Sequence, residues 1–146
     1  MKHPQTIAKE LATMFPNDDL ITIGQYACCA FTLMWCLKIN PDDITAIKMV
    51  QLMRKKGKIK TSCVVKWADA VEYLTGKKLK EVKFVKIKSI KDIKERTPVL
   101  FAKAGNPEGV GHWVGVEKGK IGFNALEYSE NVDKGSPVEM RVLIFE

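Results

Sequence analysis

Gly24-Gln25-Tyr26-Ala27-Cys28-Cys29-Ala30-Phe31-Thr32-Leu33-Met34-Trp35-Cys36-Leu37 is the longest apolar run in the chain, and it carries two adjacent thiols at its front edge. The eleven residues from Ala27 to Leu37 are nearly all apolar or small. That is too short to cross a bilayer and suits a helix buried on all sides. The pattern predicts a central helix from about Tyr26 to Lys38, entered through a bend at Gly24 and Gln25. Cys28 and Cys29 then fall on its first turn, beside unpaired backbone N–H groups and the positive end of the helix dipole, both of which favour thiolate over thiol. A cysteine in an apolar helix is most often a packing residue. Cys36 and Cys63 are read that way, whereas the Cys28–Cys29 pair is a candidate nucleophile provided a base lies downstream.

Working outward, residues 4–15 read as an amphipathic helix with Ile7, Leu11 and Met14 on one face and Pro4 in the first turn. Pro16-Asn17-Asp18-Asp19 breaks it, and Leu20 to Ile23 is expected to be an extended lead into the bend. Asn40-Pro41-Asp42-Asp43 signals a helix with Asn40 as N-cap, running to Lys56 and stopped by Gly57. A third long helix is expected from Cys63 to Leu74, ended by Gly76. Beyond Gly76 the period changes to that of strands. Val82 to Ile87 is one, Val99 to Ala102 another, and a short helix over Ser89 to Arg96 stands between them, stopped at Thr97-Pro98. His112 to Val116 and Ile121 to Tyr128 form a hairpin around Glu117-Lys118-Gly119-Lys120. Val138 to Phe145 closes the sheet. Helices to about residue 76 followed by an antiparallel sheet from about residue 80 make a single α+β domain over residues 1–146.

Composition narrows the function classes. With 146 residues, 46% hydrophobic and 28% charged, the chain is an ordinary globular domain with one real core. No stretch reads as a membrane span or as the apolar core of a secretory signal. The expectation is therefore synthesis into the cytoplasm, with any delivery to the cell wall by a non-classical route. Two of the four cysteines are neighbours, which favours reduced thiols. Only two histidines, His3 and His112, and no C-x-x-C pair argue against metal, and no cofactor is expected. The net charge of +7 is unevenly placed: residues 54–94 hold 14 of the 24 basic residues against four acidic ones. Such a segment is either a solvated lysine face or an attractor for an anionic polymer. Without aromatics among the lysines it does not read as a nucleic-acid surface.

The base is found on the hairpin. His112 opens a strand after a glycine-rich loop, and Asn124 comes to the same end of the ladder on the returning strand. There an asparagine amide can orient the imidazole and select its tautomer while the other ring nitrogen faces a thiol. His112 is expected within about one ring's reach of the start of the central helix.

With these residues in place, Gln25-Tyr26-Ala27-Cys28-Cys29-Ala30-Phe31-Thr32-Leu33 resembles the nucleophile motif of papain-like cysteine peptidases of the C39-like kind. Gly111-His112-Trp113-Val114-Gly115-Val116 resembles their histidine strand, and Asn124 stands where they carry Asp or Asn. The tail from Ser129 to Arg141 is similar to C39-like proteins of spirochaetes and phages. The resemblance implies a papain-like fold, Cys28 as nucleophile, His112 as base, Asn124 as its orienter and Gln25 as oxyanion-hole donor. Cys28 is preferred to Cys29 on the Ala30 and Thr32 matches and its first-turn placement. The family's glutamine usually stands further ahead of the cysteine than Gln25 does, and Cys29 occupies a position often held by glycine.

The expected function is a thiol protease or amidase that cleaves an amide bond in a protein or a peptidoglycan peptide through a Cys-His-Asn triad. The alternative is a catalytically degenerate papain-like domain that acts as a binding module.

Overall fold

The computed structural model describes the whole chain, residues 1–146. Helices come first: α1 (Pro4–Met14), α2 (Asp18–Tyr26), α3 (Cys28–Cys36), α4 (Asp43–Lys55) and α5 (Trp67–Thr75). A five-stranded sheet follows, formed by β1 (Leu79–Lys86), β2 (Thr97–Ala102), β3 (His112–Glu117), β4 (Lys120–Phe123) and β5 (Ser136–Phe145), with the four-residue helix α6 (Glu130–Asp133) ahead of β5. All neighbouring strands are antiparallel, in the order β1-β5-β2-β3-β4. The fold class is α+β.

The apolar run forms the buried centre. Phe31, Leu33 and Met34 of α3 have no exposed surface, and Trp35 is almost covered; burial of each such side chain is worth roughly 1.5–3 kcal/mol. α3 lies against β3, and glycines make the close approach possible. A Cβ added at Gly115 would stand 2.3 Å from the Trp35 ring, and one at Gly122 2.7 Å from it. Trp35 also stacks on Phe123 at 6.0 Å between centroids. On the opposite face of the sheet Val99, Phe101, Val114 and Val116 form a second, smaller cluster, covered by Ile87, Ile90 and Ile93.

Several elements differ from the sequence reading, each for a local reason. Leu20 to Ile23 is helical, not extended. The Asn17 side chain accepts the Asp19 and Leu20 N–H groups, and Asp18 and Asp19 face the positive end of the helix. The residues that stop α1 therefore start α2. The cap of α4 is Asp42, which accepts the Thr45 N–H at 2.8 Å, while the Asn40 side chain bonds the Met1 amine instead. α5 starts at Trp67 because Cys63 has φ +69 and Ile59 bridges Val65 in a small loop. Ser89 to Arg96 makes turns and no helix: the Ser89 hydroxyl takes the Lys91 N–H, two residues on. Thr97 and Pro98 do not precede the strand but belong to it. β4 ends at Phe123 rather than Tyr128, since the chain then turns to α1, where the Ala125 carbonyl accepts the Gln5 N–H at 3.0 Å.

Candidate active site

The site forms where the start of α3 meets the first residues of β3. α2 and α3 are nearly one helix, interrupted at Ala27. Helical hydrogen bonding runs as far as the Ala27 N–H to the Ile23 carbonyl and resumes with the Phe31 N–H to the Ala27 carbonyl. The amides of residues 28–30 fall in the gap. Buried Gln5 helps to hold it open, because its Nε2 donates to the Gly24 carbonyl at 3.0 Å, the oxygen that the Cys28 N–H of an unbroken helix would use. The Cys28 and Cys29 N–H groups lie close enough to the Cys28 sulfur to favour its thiolate.

The third amide on that sulfur comes from the sheet. β4 pairs with β3 only as far as Gly115, so the edge of β3 before it is open. α3 fills that edge: the Thr32 hydroxyl, one helical turn on from Cys28, donates to the Trp113 carbonyl at 3.2 Å, and the Trp113 backbone N–H lies near the Cys28 sulfur and favours its thiolate. Cys28 thus lies against the residue that follows His112. Cys29 belongs to the apolar core, as neighbouring helix positions pointing about 100° apart require.

His112 is buried, and its Nε2 meets Asn124 Oδ1 at 2.6 Å. The orientation of that amide is fixed, because Oδ1 also accepts the Leu126 N–H at 3.0 Å. An oxygen that only accepts selects the tautomer with the proton on Nε2. Nδ1 is left with its lone pair, the nitrogen a general base needs. His3 braces the asparagine from behind, Nδ1 on the Asn124 carbonyl at 3.0 Å.

Burial sets the protonation of both partners. It lowers the pKa of His112, partly offset by the Asn124 hydrogen bond, with a further lowering from Lys9. It raises the Cys28 pKa above 9.0 despite the three amides. The resting pair is therefore neutral imidazole and thiol. This corrects the sequence expectation of a thiolate, since desolvation outweighs the helix terminus. No hydrogen bond joins the thiol to the imidazole. His112 alternates with Val114 and Val116 on the face turned away from Trp35, whereas the thiol lies at the β3 edge that α3 fills, so the expected meeting of the imidazole with the start of α3 is not formed.

Gln25 is exposed on the last turn of α2 and lines a cleft of about 320 Å³ together with Cys28, Cys29, Trp67, Trp113 and Arg141. Its side chain makes no hydrogen bond to the other candidates. Sequence reasoning missed Gln5 and Arg141, both polar residues that look like ordinary surface positions in a linear pattern. No group of His, Cys, Asp and Glu side chains has the arrangement of a metal site, and no helix is long and apolar enough to cross a membrane. The chain matches no family model, no curated protein and no solved structure.

Proposed function

We propose that this protein is a small cysteine hydrolase of papain-like type that cleaves an amide bond in a protein or a peptidoglycan peptide. What supports the reading is the His112–Asn124 pair, its amide orientation fixed by the Leu126 N–H, on the strand whose next residue, Trp113, adjoins a thiol at a helix start. In the mechanism the His112 ring first moves round the β3 edge to the thiol, and Nδ1 then takes the Cys28 proton as sulfur attacks the carbonyl carbon. The oxyanion is held by backbone N–H at the head of α3, with Gln25 swinging in from the cleft wall; each donor contributes roughly 3 kcal/mol. The imidazolium gives its proton to the departing amine. Water, activated by the same nitrogen, then hydrolyses the thioester and frees Cys28.

A second reading has its own support. The buried thiol and the missing thiol–imidazole hydrogen bond suit a degenerate domain that binds a partner. The two are separated by incubating wild type, Cys28→Ser, Cys29→Ser and His112→Ala with unfolded casein and with purified peptidoglycan, and following new amino termini. Cleavage lost in Cys28→Ser and His112→Ala but kept in Cys29→Ser supports the hydrolase. No cleavage of either by wild type, with retention on one of them, favours the binding module.

A further inference from the structure

We infer that Arg141 makes the cleft beside Cys28 a subsite for a carboxylate. On the hydrolase reading, from which this follows, the bond cleaved is flanked by an acidic side chain or a free C-terminal carboxylate. The cleft wall contains no Asp or Glu, and Arg141 is its one charged side chain. Arg141 reaches in from β5 among aromatic rings, its guanidinium carbon 3.8 Å from the centre of the Phe84 ring, 4.8 Å from Trp113 and 6.0 Å from Trp67. Those rings confine the group, whose side chain is 11% exposed.

The hydrogen bonds leave one edge unused. Nη1 donates to Glu139 Oε1 at 2.9 Å and to the Met140 carbonyl at 3.5 Å. Nε is buried with no partner, and Nη2 has none within the protein. The other two arginines differ. Arg54 Nε bonds the Thr61 carbonyl and Arg96 Nε bonds Glu117. Nε–H and Nη2–H run parallel along one side of the guanidinium, the fork that accepts both oxygens of a carboxylate. An orphaned buried donor is costly to the protein alone; a carboxylate held on Nη2–H would reach Nε–H only as the cleft wall shifts, because Nε itself is closed to solvent. Its charge is already felt at Cys29, where it opposes the upward push of burial.

The test uses full-length Cys28→Ala protein, with fluorescence of Trp113 and Trp67 as the signal. It is titrated with acetyl-Ala-Glu-Ala-amide, with acetyl-Ala-Ala-Ala bearing a free carboxylate, and with neutral acetyl-Ala-Gln-Ala-amide. At least one carboxylate peptide should bind about tenfold more tightly than the neutral one, less so in high salt. Whichever of the two binds better identifies a side-chain or a terminal carboxylate. Arg141→Met in the same background should abolish the preference, and Arg141→Lys should restore it only in part. Glu139→Gln removes the competing carboxylate and should strengthen the preference, which keeps the test decisive if Arg141→Met does not fold. Equal binding of all three peptides, or no binding of any, overturns the subsite; so does a preference that survives Arg141→Met. In wild-type protein, turnover without carboxylate preference rejects the subsite and keeps the hydrolase. Carboxylate-selective binding without turnover does the reverse.

Discussion

At the scale of single residues, Asn124 decides most. One oxygen receives the imidazole and the Leu126 N–H, so the amide cannot turn and the imidazole keeps one tautomer. Burial then makes acid the enemy of this arrangement. The His112 pKa in the fold lies below its ordinary 6.5. Its contribution to stability is therefore complete above the unfolded value and is lost as pH falls through the folded one. Thermal unfolding between about pH 7.5 and 5 should show a falling midpoint that is flatter in His112→Gln. Equal slopes in both proteins would place the acid sensitivity elsewhere. The thiol has the opposite sign. With its pKa raised above 9.0, the rate of Cys28 alkylation by iodoacetamide should still be climbing at pH 9.0. A plateau reached near pH 6, roughly the limb expected of an activated thiolate, would show that burial does not control this group.

At the scale of elements, the site depends on a helix that stops and restarts. Gln5→Met keeps side-chain length and burial but gives the Gly24 carbonyl no donor. That oxygen becomes free for the Cys28 N–H, and the gap at Ala27 closes. The expected results are slower hydrogen exchange at the amides of residues 28–30 and slower Cys28 alkylation at a given pH. The loss of stability should be about 1 kcal/mol. A variant equally unstable but with unchanged exchange and alkylation would make Gln5 a packing residue only. Packing of α3 on β3 is tested at Gly115, whose Cβ would sit 2.3 Å from Trp35. Gly115→Ala should cost about 1–3 kcal/mol in denaturant unfolding. It should also slow any hydrolysis, because the same displacement moves Cys28 from the Trp113 amide.

At the scale of the whole molecule, the basic residues of 54–94 lie at the end of α4, in the loops on either side of α5, along β1 and in the turns before β2, with none on α5 itself. Much of that surface is open to solvent, as along β1, where most side chains are exposed. If it guides the protein to an anionic wall polymer, retention on that polymer should fall steeply between about 0.05 and 0.5 M salt, as screening requires. Retention that ignores salt would leave the lysines as a solvated face. The chain sequence by itself determined the division into a helical half and an antiparallel half, the buried central helix and the hairpin. These follow from local periodicity and from turn residues such as Lys118 and Gly119, both at positive φ. It also pointed to Cys28, His112 and Asn124, because chemically marked residue types at element ends are visible in a linear text. Local signals misled where one residue could serve two structures: Asn17 ends one helix and caps the next, and Ser89 closes a turn rather than a helix. Only the tertiary structure decided what depends on distant partners. Gln5 reaches Gly24, Trp113 supplies an amide to a thiol 85 positions earlier, and Arg141 enters the cleft from the closing strand. Desolvation belongs to that same class, since no residue carries its burial in its name, and burial is what holds the Cys28 thiol protonated and the His112 ring neutral.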